Sequence, residues 1–324
     1  MISIFDYYPE LKQNIPYVKE FRTLRFNKTF QNTFTLSYSK ASNLDDYENF
    51  KKLIYSNLGK KYFPILRMSD GEMLLLTGAP DESRRASYIK RLERFFKNLY
   101  KKIFTNQDLI LSSHIYGSFD HGSGTSETYK YNSSKYSKEH IHKIKRKFLN
   151  EIHDISNSGI LAIHYSYSNK YALVERYWPK FSNILKNHEI SLNSNNCFPF
   201  YFVYMFLSEK ESLQKAVQGK KVLCVSSASG AKRQNIINTI DSLGPSKVNW
   251  LPIPTSKTFF YEFEDDKFDS YDIIFLAAGT GKTNIVRQLS KYQCPIIDCG
   301  YYFEVWNDES LKFNRIGCVT DDEC

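Results

Sequence analysis

The last third of the chain alternates two kinds of segment, and that alternation leaves few folds open. From Lys220 it reads KKVLCVSS, AKRQNIINTIDSL, KVNWLPIP, YDIIFLAAG, KTNIVRQLSKY and CPIIDCG. The apolar runs lack a polar residue at every second position, so strands made from them are covered on both faces. That is the pattern of a parallel sheet under helices. The expected class is therefore α/β, with a Rossmann-like, mostly parallel sheet and helices on both faces. Ligands of such sheets bind beyond the carboxyl ends of the strands. Here those ends are Ser226 to Gly230, Pro252 to Ser256 and Ala277 to Gly281.

The regular pattern begins much earlier. Tyr62 to Met68 (YFPILRM) predicts a buried strand, followed by a turn and a short apolar run, Met73 to Leu76. Ser83 to Phe104 predicts an amphipathic helix with a basic face. Ser137 to Ile155 predicts a second, with Ile141, Ile144, Phe148 and Ile152 at spacings of three and four. Between these helices, Gly117 to Tyr131 is rich in Gly, Ser and Thr and reads as a long loop; long loops in compact domains are usually functional or disordered. Gly159 to His164 predicts a short strand and Phe198 to Leu207 a buried helix. Residues 1–45 are aromatic, polar and irregular, and are expected to pack as an N-terminal extension on a single Rossmann-like domain spanning 46–324. No internal repeat or low-complexity linker divides the chain.

Composition narrows the function classes. With 42% apolar and 24% charged residues over 324 positions, the chain has the means to bury a core. The first residues, MISIFDYYPELKQN, lack a signal-peptide pattern, and no stretch approaches the roughly 18 apolar residues of a membrane span. The expectation is a cytoplasmic protein. Six scattered cysteines without a CxxC pair predict free thiols. Lys and Arg total 44 against 35 Asp and Glu, a surplus of +9 that favours an anionic partner. On the basic helices the surplus reads first as a solvated face; if functional, it would hold the protein peripherally at an anionic membrane carrying the acceptor. No zinc spacing, RNP-type motif or zinc finger is present, so nucleic acid is an unfavoured partner.

The most informative segment is Arg67 to Gly78, RMSDGEMLLLTG. Asp70 and Glu72 flank Gly71 directly after a buried strand. Two carboxylates so spaced, on a backbone that glycine lets turn tightly, can present oxygens to one hard cation such as Mn²⁺ or Mg²⁺. A capping box is the structural alternative: Ser69-x-x-Glu72 would satisfy free N–H groups at a helix start. The two readings fit the pattern about equally; Asp70 and Arg67, which a capping box does not need, favour the cation.

The run Arg-x-Ser-Asp-Gly-Glu after an apolar strand resembles the signature of the GT-D-type glycosyltransferases, which usually read Arg-x-Gly-Asp-Gly-Glu. The similarity continues through VLCVSSASGAK, WLPIPTSKTFF, DIIFLAAGTGKT and PIIDCG, and so spans roughly Gly59 to Trp306. It implies a Rossmann-like domain, a nucleotide-sugar donor and a divalent metal held by Asp70 and Glu72. Ser69 stands where the family usually has a glycine.

Two further segments bear on a phosphate-containing ligand. Gly279-Thr280-Gly281-Lys282-Thr283 invites comparison with a phosphate-binding P-loop, but Leu276 stands where that motif needs its first glycine. The N–H groups of Gly279, Thr280, Gly281 and Lys282 at a helix start, aided by the Lys282 ammonium, could hold a diphosphate. Ser226 to Lys232 (SSASGAK) offers the same geometry through Ser229 and Gly230. Arg67, Ser69 and Gly71 complete the donor-binding set. In the loop Asp120 to Glu127, His121 is the candidate base for an acceptor hydroxyl, with His114, His164, Asp120 and Glu127 as competitors.

The expected activity is thus metal-dependent transfer of a hexose from a nucleotide diphosphate sugar to a glycan or lipid-linked acceptor, as in polysaccharide biosynthesis, with Asp70, Glu72 and His121 carrying the chemistry. The alternatives are a phosphotransferase or NTPase centred on the GTGKT turn, and a basic nucleic-acid-binding protein.

Overall fold

The computed structural model describes residues 44–68, 72, 76, 138–163, 181, 183–193, 195–255, 258–264 and 270–314. The expected extension is nearly all outside this set, as are the predicted helix Ser83 to Phe104 and the loop Gly117 to Tyr131. The elements are α1 (Leu44–Asn57), β1 (Phe63–Met68), α2 (Lys138–Ser158), β2 (Ile160–Ile163), β3 (Cys197–Pro199), α3 (Phe200–Ser208), α4 (Lys210–Val217), β4 (Lys221–Ser226), α5 (Gly230–Asp241), β5 (Lys247–Pro252), β6 (Ile273–Ala277), α6 (Lys282–Leu289), β7 (Pro295–Asp298) and α7 (Tyr302–Asn307).

The seven strands form one sheet in the order β3-β2-β1-β7-β6-β4-β5, and every pairing is parallel. Their inner residues explain this. β1, β2 and β7 are buried at every position, and β4 and β6 nearly so, which demands a layer of helices on each face. Right-handed crossovers assign the layers. Connections β1 to β2 and β6 to β7 both run toward the β3 edge, so their helices α2 and α6 share a face, where they pack together. The connections running the other way place α3, α4 and α5 on the opposite face, where α1 packs on α3 and α4, and α7 on α5. The α/β class and the parallel sheet are as the sequence predicts.

One expected element divides. Phe198 and Pro199 do not open the helix but end the three-residue strand β3, and α3 begins at Phe200. Among the described residues β3 is an edge of the sheet, where a proline without an N–H is tolerated. α3 then buries Phe202 and Phe206 against Phe50 of α1.

No helix among the described residues is long and apolar enough to cross a membrane. The four described cysteines, Cys197, Cys224, Cys294 and Cys299, are free and buried.

Candidate functional site

The sheet has two places where chains leaving adjacent strands part, and Rossmann-like sheets bind ligands at such points. One lies between β4, which leads outward to β5, and β6, which leads inward to β7. The other lies between β1, which leads to β2, and β7, which leads to α7 on the opposite face.

At the second point the carboxyl ends of β1 and β7 enclose four charged side chains. Arg67, Glu72, Lys282 and Asp298 are each no more than 7% exposed. Arg67 grips Asp298 three times: its backbone N–H donates to Oδ2 (3.2 Å), Nη2 to Oδ1 (3.2 Å) and Nε to the Asp298 carbonyl (2.7 Å). Its Nη1 donates to the Tyr204 hydroxyl, and its guanidinium carbon lies 4.7 Å from the centre of that ring. The Lys282 ammonium meets Asp298 Oδ2 at 2.8 Å and Glu72 Oε1 at 3.0 Å, and donates to the Arg67 carbonyl.

Burial opposes charge on Arg67, Lys282 and Asp298, and the opposite partner decides the outcome for each. Burial would raise the Asp298 carboxyl, but Arg67 and Lys282 together hold it below the usual carboxylate range. For Lys282, burial is outweighed by Asp298 and then Glu72, so its pKa lies above that of an ordinary lysine. Arg67 is likewise raised against burial, chiefly by Asp298. The two cations and two anions form a neutral cluster.

Two glycines show how tightly this corner is built. A Cβ on Gly300, just after β7, would stand 1.7 Å from Arg67 Nη2. A Cβ on Gly281 would stand 2.1 Å from Thr258 Oγ1 and 2.6 Å from the Phe259 nitrogen. The close approach of the 258–260 turn therefore requires a glycine at 281.

The structure places two of the expected donor-binding residues inside this cluster. The Lys282 ammonium has three donors, and three protein oxygens, from Asp298, Glu72 and Arg67, surround it. Arg67 is engaged from within, with three of its donors on Asp298 and Tyr204. Gly279, Thr280 and Gly281 form a 3₁₀ turn leading into α6. Across the first crevice, Ser229 precedes α5 without a side-chain capping hydrogen bond. Gly230 follows at φ 55° with nothing within 4 Å of the position a Cβ would take.

Ser69, Asp70, Gly71 and His121 lie outside the described residues, as do His114, Asp120, Glu127 and His164. Glu72 suits a hard cation in its donor chemistry: a buried carboxylate, with one oxygen directed by a lysine, resembles the supported ligands of metal sites. Among the described residues no group of three or more His, Cys, Asp or Glu could hold a metal, so a cation at Glu72 needs Asp70 or substrate oxygens beside it.

The basic face of α2 is only partly solvated. Lys145 donates to the Leu76 carbonyl at 3.4 Å, and Lys147 to the Phe259 carbonyl at 2.9 Å and Asn284 Oδ1 at 2.8 Å. Sequence reading missed Asp298 and Tyr204. Asp298 had a signal, since a carboxylate closing the apolar run CPII must be buried, and buried Asp is almost always paired. Tyr204 had none, being one aromatic in a run of them.

Comparison with known proteins finds no matching family model, no matching curated protein and no matching solved structure.

Proposed function

We propose that the chain is a metal-dependent glycosyltransferase of the GT-D kind, moving a hexose from a nucleotide diphosphate sugar to a glycan or lipid-linked acceptor. The observation that carries the reading is the Glu72 carboxylate, buried and oriented at the carboxyl end of a parallel sheet, two residues after Asp70. Departure of a nucleoside diphosphate leaves negative charge on the leaving group. Mn²⁺ or Mg²⁺, when bound, supplies Lewis-acid stabilisation of that charge.

The chain's own residues supply the rest. Asp70 and Glu72 provide the carboxylate oxygens. Ser229 and Gly230 open α5 toward the crevice between β4 and β6, where free N–H groups at a helix start favour a diphosphate. Gly279 and Thr280 border the same crevice. His121, as the base, would take the proton of the acceptor hydroxyl. The NTPase reading loses support because the lysine of the GTGKT turn has its three donors occupied.

Transfer or donor hydrolysis should vanish with chelator and return with Mn²⁺. Asp70→Asn is the sharper variant. Glu72→Gln would also unpair the buried Lys282 and so lose stability together with activity. Asp70→Asn should lower turnover by at least tenfold, the low end for a lost metal-site partner, while the protein stays folded. Wild-type turnover of Asp70→Asn at limiting Mn²⁺ would sink the reading, and ATP turnover would replace it with the phosphotransferase.

A further inference from the structure

We propose that the Glu151 carboxyl and the Thr283 hydroxyl form a proton-operated latch between α2 and α6: as a neutral acid Glu151 lets the interface close, and its ionisation draws Lys147 away from the contacts that hold the start of α6. The inference concerns one wall of the crevice between β4 and β6 and stands whichever reaction the protein performs.

Both side chains lie deep in the interface. Glu151 is 5% exposed, and Thr283, at the second position of α6, is fully buried. Thr283 acts on the carboxyl from across the interface, yet neither its hydroxyl nor either Glu151 oxygen meets hydrogen-bond geometry with any partner. A hydroxyl and a neutral carboxyl each carry one O–H donor and spare acceptor capacity, so the protonated pair can satisfy itself. A carboxylate only accepts, and buried without hydrogen bonds it opposes the closed interface.

The surrounding charges decide what ionisation does. Lys147, one turn earlier on α2, stands at 3.8 Å and Arg287 of α6 at 3.6 Å, both from the same oxygen. Neither reaches hydrogen-bond distance, and each is occupied elsewhere. Lys147 donates to the Phe259 carbonyl and to Asn284 Oδ1, and Arg287 to Glu262 and to the same Asn284 oxygen. Glu262, just after the 258–260 turn, adds a repelling charge, and Tyr62, just before β1, feels Glu151 together with Asp154 of α2. A carboxylate here recruits Lys147, and Lys147 is the clamp. Its two bonds tie α2 to the 258–260 turn and to α6, and Asn284 extends the tie to the Thr258 and Tyr261 carbonyls. Gly281 docks on that turn, and Gly279 and Thr280 precede it in the 3₁₀ turn that borders the crevice. Proton release at Glu151 thus loosens the side of the crevice that α6 forms.

The sign follows from linkage. Burial favours the neutral acid in the closed state, so opening releases a proton. Closure therefore weakens as pH rises from the ordinary value of about 4.5 through the raised folded value.

The test is hydrogen–deuterium exchange of the full chain from about pH 5 to about pH 8, read by mass spectrometry on α5 and α6 and corrected for the intrinsic pH dependence of amide exchange. In wild type the protection of α6 should fall as pH rises, by up to about tenfold per pH unit, the limit for one proton. It should fall more than that of α5 on the opposite face. In Glu151→Gln, whose side chain stays neutral, α6 should keep its protection across the range. A wild-type α6 indifferent to pH overturns the proposal. So does a Gln variant that loses protection in parallel with wild type, since another group is then titrating. Equal losses in α5 and α6 would make Glu151 a matter of global stability and overturn the latch as well. A neutral side chain is what the closed interface calls for, so a Glu151→Gln chain that fails to fold also overturns it.

Discussion

At the scale of single residues, the charged corner depends on atoms that are missing as much as on those present. Gly300 stands at φ 48° with Arg67 Nη2 where a Cβ would go. Gly219, at φ 68°, has open space around it. Both should suffer from alanine through the left-handed backbone, at about 1–2 kcal/mol. Gly300→Ala should lose a further ~1–3 kcal/mol, the usual scale of overpacking, because Arg67 is held by Asp298 and Tyr204 and has no low-cost way to move. Chemical denaturation of the two variants side by side measures the difference. Equal losses would mean that the guanidinium yields freely and that the corner is looser than its contacts imply.

At the scale of elements, α2 and α6 meet around a buried carboxylate. Glu151 is 5% exposed, with Lys147 at 3.8 Å and Arg287 at 3.6 Å from one oxygen. Burial outweighs the lowering by Thr283, Lys147 and Arg287, and raises its carboxyl above the usual range. The sign follows from linkage. An acid whose folded pKa exceeds its unfolded value costs stability above the folded pKa, and the cost fades as pH falls toward the ordinary value of about 4.5. Glu151→Gln should therefore melt higher than wild type near pH 8, the gap closing as pH approaches 4.5. The cations keep other partners, Lys147 through Asn284 and Arg287 through Glu262. A gap that widens on acidification would show that Glu151 is net stabilising as an anion.

The same elements show what a sequence reading reaches. The helix predicted from Ser137 appears as α2, because Ile144, Phe148 and Ile152 recur on one face and all are buried. The strands from Lys220 onward appear because unbroken apolar runs have no other use in a parallel sheet. β3 escaped because three residues carry no periodicity, and because the apolar helix after it masks the boundary. The charged corner was half legible. Arg67, Glu72 and Lys282 were singled out, but their mutual pairing spans 215 residues between Arg67 and Lys282 and follows only from the strand order, which places β7 beside β1.

At the scale of the whole molecule, the +9 surplus acts on any anionic donor before contact. The described part of the ligand-binding end keeps exposed cations, Lys143 and Arg146 on α2 among them, while the buried corner beneath is neutral. On the proposed reading, steering would come from the surface and catalysis from the interior. Surface fields are screened over a Debye length, which falls from about 10 Å at 0.1 M salt to about 3 Å at 1 M, whereas the paired charges around Lys282 exclude water and are screened far less. Donor KM should rise with salt, on the order of tenfold over that range, the low end of focusing effects on local ligand concentration. The kcat at saturating Mn²⁺ should stay nearly constant. Steady-state kinetics with varied NaCl separates the two constants, with sucrose as a control for osmotic effects. A flat KM would mean that the surplus charge serves some other partner, and a kcat that falls while KM holds would mean that salt reaches the buried corner.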